Sequence, residues 1–213
     1  MPDTHDHYYT AAPSSAHKPG QVKWTYRGHA LSFATDSGVF SRTELDRGTE
    51  VLLEALPDTL SGPVLDMGCG YGAIGVAVGA HWRGIDVTMA DVNQRACGLA
   101  RENAAANGVR ARVLESDGYE RILGERYAFI LQNPPIRAGK AVIYRMFAAA
   151  AQCLLPGGEL WLVIRKQQGA PSAMTYLRTL YAQVDAVEKK SGFWVLRCTG
   201  PLKQTQEDTN DVQ

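Results

Sequence analysis

The sequence predicts an α/β fold with a seven-stranded, mostly parallel sheet, an antiparallel hairpin strand at its C-terminal end and a small N-terminal β extension. Three observations predict it. Short apolar segments alternate with helical segments from about residue 43 onward. A glycine-rich turn at Gly68 follows the first of these apolar segments. Two β-like segments joined by residues 189–192 come last. Repeated βα units build a parallel sheet with helices on both faces, which is a Rossmann-like architecture.

The chain divides into three parts by composition. Residues 1–42 are rich in aromatic residues, Pro, Ser and Thr, and contain two β-like segments at 22–26 and 30–35. This part is predicted to be an N-terminal extension or lid. Residues 43–200 are predicted to form the main domain. Residues 201–213 are almost entirely polar, so they are predicted to be a disordered tail.

Within the main domain, predicted strands are short apolar runs, and predicted helices carry apolar residues at helical spacing. Asn107 and Gly108 mark a helix C-terminus, and Pro156 begins a Pro-Gly-Gly turn between a helix and a strand. The predicted strands are residues 63–67, 85–90, 111–115, 127–132, 159–164, 184–188 and 193–198. The predicted helices are residues 73–81, 93–107, 142–154 and 172–183.

The composition argues against several classes of protein. The 213 residues are 45% hydrophobic and 21% charged, as expected for one globular domain with a full core. The formal net charge is zero, which argues against a broadly basic nucleic-acid binder but allows a local basic patch. No apolar run approaches a membrane span, and the N-terminus lacks the regions of a signal peptide. We therefore expect a cytoplasmic protein without membrane contact.

Neither a metal site nor a disulfide framework is predicted. The four cysteines are widely spaced and no Cys-x-x-Cys pair occurs, so free, mostly buried thiols are expected. His5 and His7 are close in sequence, but no third ligand is evident. We therefore expect no bound metal ion.

A glycine-rich turn follows the first strand of the main domain. Gly68, Gly70 and Gly72 alternate with larger residues, and Gly75 lies on the first turn of the next helix. Glycine tolerates positive φ and lets a ligand approach the backbone without a Cβ in the way. Residues 70–75 also satisfy G-x-G-x-x-G, and an aspartate follows about twenty residues later, as in dinucleotide-binding proteins. A dehydrogenase is therefore a competing interpretation at this point.

Acidic residues at the ends of successive strands favour S-adenosylmethionine over a dinucleotide. Asp66 precedes the glycines, where a carboxylate would attract the ammonium of a methionine moiety and repel a pyrophosphate. Asp91 is placed to accept from both ribose hydroxyls. Ser116 and Asp117 follow the third strand, where a carboxylate can accept from the adenine amino group. The alternative role for Asp117 is a helix N-cap.

A rigid corner, Asn133-Pro134-Pro135, follows the fourth strand. The prolines fix φ and keep Asn133 out of a helix, at the strand edge where open α/β sheets bind ligands. The side-chain oxygen of Asn133 and the carbonyl of Pro134 can accept the hydrogens of an amine and direct its lone pair toward a sulfonium methyl group. Weakly nucleophilic amines, conjugated to a base ring or an amide, need such orientation. The sequence therefore predicts N-methylation.

In combination, these motifs resemble the class I methyltransferases and, within them, the "methyltransferase small" family. This family includes ribosomal RNA guanine-N2 methyltransferases of the small subunit, and the chain is similar to its short single-domain form over roughly residues 7–200. The segments that carry the resemblance are residues 66–72, Asp91, Asp117 and residues 133–136, supported by residues 7–9, 18–19, 35–41, 46–48, 100–108 and 136–140.

The resemblance implies S-adenosyl-L-methionine as cofactor and RNA as substrate, with guanine N2 of 16S ribosomal RNA as the leading target. It implies that Gly38 and Phe40 lie near the cofactor as part of a lid. It also implies that Ile136, Arg137 and Lys140, in the loop after the corner, contact the substrate. Basic residues expected around the same edge, where they could form a phosphate patch, are Lys18, Lys23, Arg27, Arg137, Lys140, Arg165 and Lys166.

Other functions remain open at the level of sequence. The same corner suits a planar amide, so a protein glutamine-amide methyltransferase is the main alternative, followed by a small-molecule methyltransferase. A non-catalytic cofactor- or RNA-binding module is disfavoured by the intact corner. A dehydrogenase is the last choice, because the sequence lacks a Tyr-x-x-x-Lys pair.

Overall fold

The computed structural model describes residues 16–202, which form two sheets and the helices that cover the larger one. The strands are β1 (Gly20–Tyr26), β2 (His29–Thr35), β3 (Val64–Met67), β4 (Val87–Asp91), β5 (Ala111–Glu115), β6 (Tyr127–Gln132), β7 (Leu154–Arg165), β8 (Tyr181–Lys190) and β9 (Phe193–Pro201). The α-helices are α1 (Arg47–Ala55), α2 (Ala73–His81), α3 (Gln94–Ala106), α4 (Lys140–Gln152) and α5 (Ala170–Leu177).

Within this part of the chain, the larger sheet has seven strands in the order β5-β4-β3-β6-β7-β9-β8, and β1 and β2 form a separate antiparallel hairpin. Strands β3 to β7 are parallel, and β9 runs antiparallel to both β7 and β8. The predicted Rossmann-like fold is therefore confirmed. The strand order reverses at β3, which lies between β4 and β6, and ligands of open α/β sheets bind at such a reversal.

Two apolar clusters flank the sheet, and strand alternation assigns side chains to them. In β7, Trp161 and Val163 pack with α1 and α2, whereas Leu160 and Leu162 pack with α4 and α5 on the opposite face. All four are buried, which explains why the central strands read as continuous apolar runs rather than alternating ones. Each burial contributes about 1.5–3 kcal/mol relative to exposure.

Two predicted boundaries were wrong. The helix predicted over residues 172–183 ends at Leu177, because Tyr181 already begins β8, where it pairs with Pro201 and is fully buried. Burial of this large aromatic side chain in the apolar cluster beside α4 outweighs a weak helical propensity. The Pro-Gly-Gly turn lies inside β7, as an irregularity in its pairing with β6, and a Cβ on Gly158 would lie 2.9 Å from the carbonyl oxygen of Leu155.

The N-terminal hairpin is attached to the main domain by two side-chain amides of α3. Asn103 accepts from the amide of Ala34 at 2.7 Å and donates to its carbonyl at 2.9 Å. Asn107, one turn further on, makes the same pair of bonds with Ser32 at 3.0 and 2.8 Å. The edge of β2 that faces away from β1 is thus paired as if by another strand. Asn103 also donates to the carbonyl of Tyr71, in the glycine-rich turn, at 2.8 Å.

Replacing Asn103 by alanine is expected to lower the free energy of unfolding by about 3 kcal/mol, because this buried side chain makes three hydrogen bonds and the Tyr71 carbonyl that it pairs would be left buried without its partner. The measurement is urea unfolding followed by circular dichroism. Asn107→Ala is the matched control, since Asn107 is only half-buried and water can replace it; a loss of about 1 kcal/mol is expected. Equal losses in the two variants would contradict this account.

Candidate functional site

A cavity of about 330 Å³ opens at the carboxyl ends of β3, β4, β5 and β6, a size that suits a small-molecule site. Nine of the sequence-predicted site residues line it: Phe40, Gly68, Gly70, Asp91, Ser116, Asp117, Asn133, Pro134 and Pro135. The other six predicted site residues are not part of its lining: Gly38, Asp66, Gly72, Ile136, Arg137 and Lys140.

The glycine-rich turn forms one wall of this cavity. Gly68, Gly70 and Gly72 all have positive φ, at 74°, 55° and 92°. A Cβ added at Gly68 or Gly70 would meet no heavy atom within 4 Å, so it would project into open space. At Gly72 it would lie 3.2 Å from the Ala100 Cβ and the Met89 sulfur. The first two glycines therefore keep space open for a ligand, whereas the third permits packing against α3 and β4.

Asp91 forms the adjoining wall and is held by backbone amides. Its Oδ2 accepts from the amide of Gly70 at 2.8 Å and its Oδ1 from that of Asn93 at 2.9 Å. Burial raises the pKa of Asp91 above its usual value, and these amides oppose that rise. Each carboxylate oxygen has a further lone pair, so Asp91 can still accept from two ligand hydroxyls.

Ser116 and Asp117 follow β5 at the same edge. Ser116 is buried, and its hydroxyl donates to the carbonyl of Gly118 at 2.9 Å. Asp117 is exposed and leaves its carboxylate at the cavity. The segment after it, residues 117–124, consists of turns rather than a helix, so the alternative helix N-cap role is not found.

Asp66 lies behind the turn rather than in the cavity. It is fully buried, and its Oδ2 accepts from the amide of Gly75 at 2.8 Å, which ties the end of β3 to the start of α2. Its Oδ1 is buried and has no hydrogen-bond partner among residues 16–202. Burial raises the pKa of Asp66 to about 7, with a further contribution from the charge of Asp91. Because α2 covers this carboxylate, Asp66 is not among the residues that line the cavity, and the direct ammonium contact expected from sequence stays a prediction.

The raised pKa of Asp66 predicts a pH-dependent stability. Between about pH 4 and 7 the folded protein holds a proton on Asp66 that the unfolded chain releases. The stability that this proton contributes is therefore fully present below about pH 4 and is lost as the pH rises through about 7. When the pH is raised from 5 to 7, the free energy of unfolding of the ligand-free protein should fall by about 2 kcal/mol more than that of Asp66→Asn. Urea unfolding at each pH measures both values. Asp86→Asn changes an exposed aspartate and should show the same dependence of stability on pH as the parent protein. If the free energy of unfolding of Asp66→Asn fell with pH as much as that of the parent, the proposed effect of Asp66 would be excluded.

Asn133 is held in one orientation by the start of α1. Its Nδ2 donates to the Oδ2 of Asp46 at 2.8 Å and to the hydroxyl of Thr49 at 3.0 Å. Asp46 is also the N-cap of α1, because the same oxygen accepts from the amide of Thr49 at 2.9 Å. Both amide hydrogens of the Asn133 side chain are therefore used. Asn133 lines the cavity, and its Oδ1 remains available as a hydrogen-bond acceptor.

The segment between β2 and α1 covers another side of the cavity. Phe40 lines it with 39% of its surface exposed. Gly38 is adjacent but is used differently, because its carbonyl accepts from Asn93 Nδ2 at 2.9 Å. Arg95 donates to the carbonyl of Ser37 at 2.8 Å. The two contacts fix this segment to the start of α3, beside the end of β4.

Sequence reasoning missed several cavity residues. Asp46 was visible only as part of a helix start, although an aspartate immediately before a helix is an N-cap signal, and Thr49 was not identified. Arg145 lines the cavity from α4 and is exposed, and its guanidinium makes no ion pair or hydrogen bond with any residue from 16 to 202. Lys140 points elsewhere, with its ammonium 5.1 Å from the ring centre of Tyr144.

A second depression of about 910 Å³ lies at the opposite, amino-terminal ends of β4 and β5. It is larger and more open, and exposed Arg83 and Arg110 contribute to its lining. None of the predicted site residues reaches it. The cavity beside Asn133 is therefore the candidate functional site, because motifs from separate strands converge there.

All four cysteines, Cys69, Cys97, Cys153 and Cys198, are free and buried, as predicted. Among residues 16–202, His, Cys, Asp and Glu side chains form no group of three or more placed to hold a metal ion. In the same range, each helix is too short or too polar to cross a bilayer. The histidines at 5 and 7, the segment 7–9 and residues 203–213 of the predicted tail lie outside the described residues.

Comparison with known families identifies the class of protein. The model of the methyltransferase small domain matches residues 30–197, which include the glycine-rich turn and the Asn-Pro-Pro corner. The chain belongs to the methyltransferase small domain family. The predictions of a methyltransferase and of its family are therefore confirmed.

Relatives of this methyltransferase differ in length and in what is known of them. Uncharacterized protein YbxB of Bacillus subtilis is 40% identical over 197 residues, which cover 90% of this chain and 97% of that protein. Ribosomal RNA small subunit methyltransferase C of Pasteurella multocida is 38% identical over 130 residues, 59% of this chain and 39% of that protein. The methyltransferase described here thus matches about two fifths of the length of that relative.

Among solved structures, the T. thermophilus 16S rRNA N2 G1207 methyltransferase (RsmC), in complex with AdoMet and guanosine, is similar with a TM-score of 0.77. The sequences are 25% identical, and the match covers 88% of this methyltransferase and 52% of that chain. A ribosomal protein L11 methylase from Lactobacillus delbrueckii subsp. bulgaricus, at 17% identity and a TM-score of 0.64, shares the fold.

Proposed function

We propose that this methyltransferase uses S-adenosylmethionine to methylate an exocyclic amine of RNA, with guanine N2 of 16S ribosomal RNA as its target. The observation that carries the proposal is the fixed amide of Asn133, whose Oδ1 remains an acceptor beside Pro134 at the cavity. The AdoMet and guanosine bound in the related T. thermophilus enzyme support the choice of cofactor and base.

The residues of the cavity fit the cofactor. Gly68 and Gly70 leave the space that any Cβ would fill, and Asp91 retains acceptor capacity for a pair of ribose hydroxyls. Asp117 presents an exposed carboxylate next to them, suited to the adenine amino group. We assign the cofactor contacts to these four residues. Asp66 acts indirectly, by holding α2 against the turn. S-adenosylmethionine, when bound, supplies the methyl group.

The chain itself contributes orientation. In our proposal Asn133 Oδ1 and the carbonyl of Pro134 accept the two hydrogens of the target amine. This contact reduces conjugation of the nitrogen lone pair with the base ring and directs the lone pair into the cavity. Because α1 fixes Asn133 before substrate arrives, little reorganisation is needed during the reaction. Such positioning is worth several kcal/mol of activation free energy without a covalent intermediate.

Basic side chains near the cavity are proposed to hold the RNA backbone. Arg145 is unpaired in the described part of the chain and exposed at the cavity, and Arg137 is exposed in the loop after Pro135. Arg27, one candidate for this patch from sequence, is used elsewhere. Its guanidinium stacks 5.0 Å from the ring centre of Trp82 and donates to the carbonyl of Leu56 at 2.6 Å.

A methyl-transfer assay tests the proposal. Purified protein and methyl-labelled S-adenosylmethionine are incubated with one substrate at a time. The substrates are small ribosomal subunits, naked 16S ribosomal RNA, ribosomal proteins and release factors, all from a strain lacking the gene. We expect label in 16S ribosomal RNA, mapping to guanine N2. Label in a protein glutamine would instead support the amide alternative. Label in neither the RNA nor the proteins would overturn the RNA assignment.

The cytoplasmic location remains a prediction of the same proposal, since ribosomal RNA is the substrate it requires.

A further inference from the structure

Asp46 lines the cavity beside Asn133, and its two carboxylate oxygens have different surroundings. Oδ2 accepts from the amide of Thr49 and from Nδ2 of Asn133, at 2.9 and 2.8 Å. Oδ1 has no hydrogen-bond partner within residues 16–202. One oxygen is thus committed to the helix cap and the catalytic amide, while the other is an unused acceptor in a cavity-lining side chain.

We propose that Asp46 determines which base is methylated, by accepting a hydrogen bond from the ring N–H adjacent to the target amine. This inference rests on the proposed function, and it names the feature of the substrate that the site reads. Asp46 and Asn133 are hydrogen-bonded to each other and both line the cavity. In this proposal their two free oxygens act together as a pair of acceptors. A substrate that matches them has two adjacent donors.

The Watson–Crick edge of guanine has this pattern, because the N2 amine lies next to N1–H. Adenine has the N6 amine next to N1, which is an acceptor, and would place a lone pair against a carboxylate. A glutamine side chain has its amide nitrogen next to a carbonyl oxygen, with the same conflict. An unpaired or opposed polar group in a desolvated site is strongly disfavoured, so one carboxylate can exclude both alternatives.

The local backbone keeps this arrangement rigid. Asp46 begins α1, and Thr49 on the first turn is buried. A Cβ on Gly48 would lie 2.9 Å from Asp46 Oδ2 and 3.0 Å from the Phe193 ring, so glycine at this position leaves room for the carboxylate. The same helix start therefore orients Asn133 and positions the proposed base-reading oxygen.

The test compares two substrates that present the same amine. RNA carrying guanine at the target is compared with RNA carrying 2-aminopurine there, in which N1 is an acceptor instead of a donor. The parent protein should favour guanine in kcat/KM by at least about 100-fold. Asp46→Asn keeps an oxygen to accept from Thr49 and Asn133, and asparagine is a good N-cap. It replaces Oδ1, the atom proposed to accept from the base, with an NH₂ group that donates. We expect its preference to shift toward 2-aminopurine by a factor of about 100 or more.

Two further variants and a binding measurement separate the possible outcomes. Thr49→Val removes a hydrogen bond to Asn133 and should lower kcat for both substrates without changing their ratio. Asp86→Asn, at an exposed aspartate on the opposite edge, should change neither kcat nor the ratio between the two substrates. Calorimetry of guanosine and 2-aminopurine riboside, with S-adenosylhomocysteine present, should show the same reversal of preference without turnover.

The outcomes distinguish this inference from the function on which it rests. Guanine methylation with no discrimination against 2-aminopurine, or an unchanged ratio in Asp46→Asn, would overturn the role of Asp46 and leave the RNA methyltransferase assignment intact. Failure of the parent protein to methylate guanine in any RNA would overturn both.

Discussion

Asn133→Ala should reduce the single-turnover rate of methyl transfer by about 10²- to 10³-fold, while the Kd for S-adenosylhomocysteine changes by less than about twofold. The variant removes the oxygen proposed to accept from the target amine, but the hydrogen bonds of the Asn133 side chain go to α1 rather than to the glycine-rich turn that is proposed to hold the cofactor. The loss should appear in the chemical step because orientation is proposed to matter most there. Rapid-quench measurement with enzyme in excess isolates that step.

Gln168→Ala serves as the matched control for Asn133→Ala, because it removes an exposed side-chain amide outside the cavity. It should behave as the parent protein does. The interpretation also requires that Asn133→Ala remain folded, which circular dichroism and its retained affinity for S-adenosylhomocysteine would establish. A single-turnover rate close to that of the parent would rule out the orienting role.

Gly70→Ala should weaken S-adenosylhomocysteine binding by about 10- to 100-fold, because its methyl group would project into the space that the cofactor is proposed to occupy. The positive φ of 55° also makes alanine unfavourable, at a cost of about 1–2 kcal/mol in the free energy of unfolding. Calorimetric titration measures the first effect and urea unfolding the second.

Gly108→Ala separates backbone strain from lost binding space. Gly108 has a φ of 66°, and its added Cβ would also meet nothing within 4 Å, but it lies at the end of α3 and outside the candidate site. It should lose similar stability and bind S-adenosylhomocysteine normally. If both variants bound equally well, the turn would not contact the cofactor in the way proposed.

Local sequence signals predicted the framework of the candidate site well. Helix α2 occupies residues 73–81, as predicted, because the glycine turn ends a buried strand and Gly72 at a φ of 92° begins the helix. Strands β5 and β6 were also predicted with the observed bounds. In each case the signal lies within a few neighbouring residues, as apolar runs bounded by glycine, proline or polar residues.

Contacts between distant segments could not be read from the sequence. The bond between Asn133 and Asp46 joins residues 87 positions apart, and it depends on α1 packing beside the end of β6. Likewise, Asp66 was expected in the cavity because it ends a strand at the ligand-binding edge, but alternation along β3 places it under α2. Periodicity identifies the two faces of a strand without showing which neighbour covers each face.

The paired amides on α3 bear on how small an active version of this protein can be made. Asn103 joins Ala34 to the carbonyl of Tyr71, so the N-terminal hairpin and the glycine-rich turn share one polar anchor. A version shortened to begin at residue 43 would discard one side of that anchor and uncover the apolar surface beneath Phe33. We therefore expect the predicted division at residue 42 to be a poor place to cut, and any minimal enzyme should retain the hairpin.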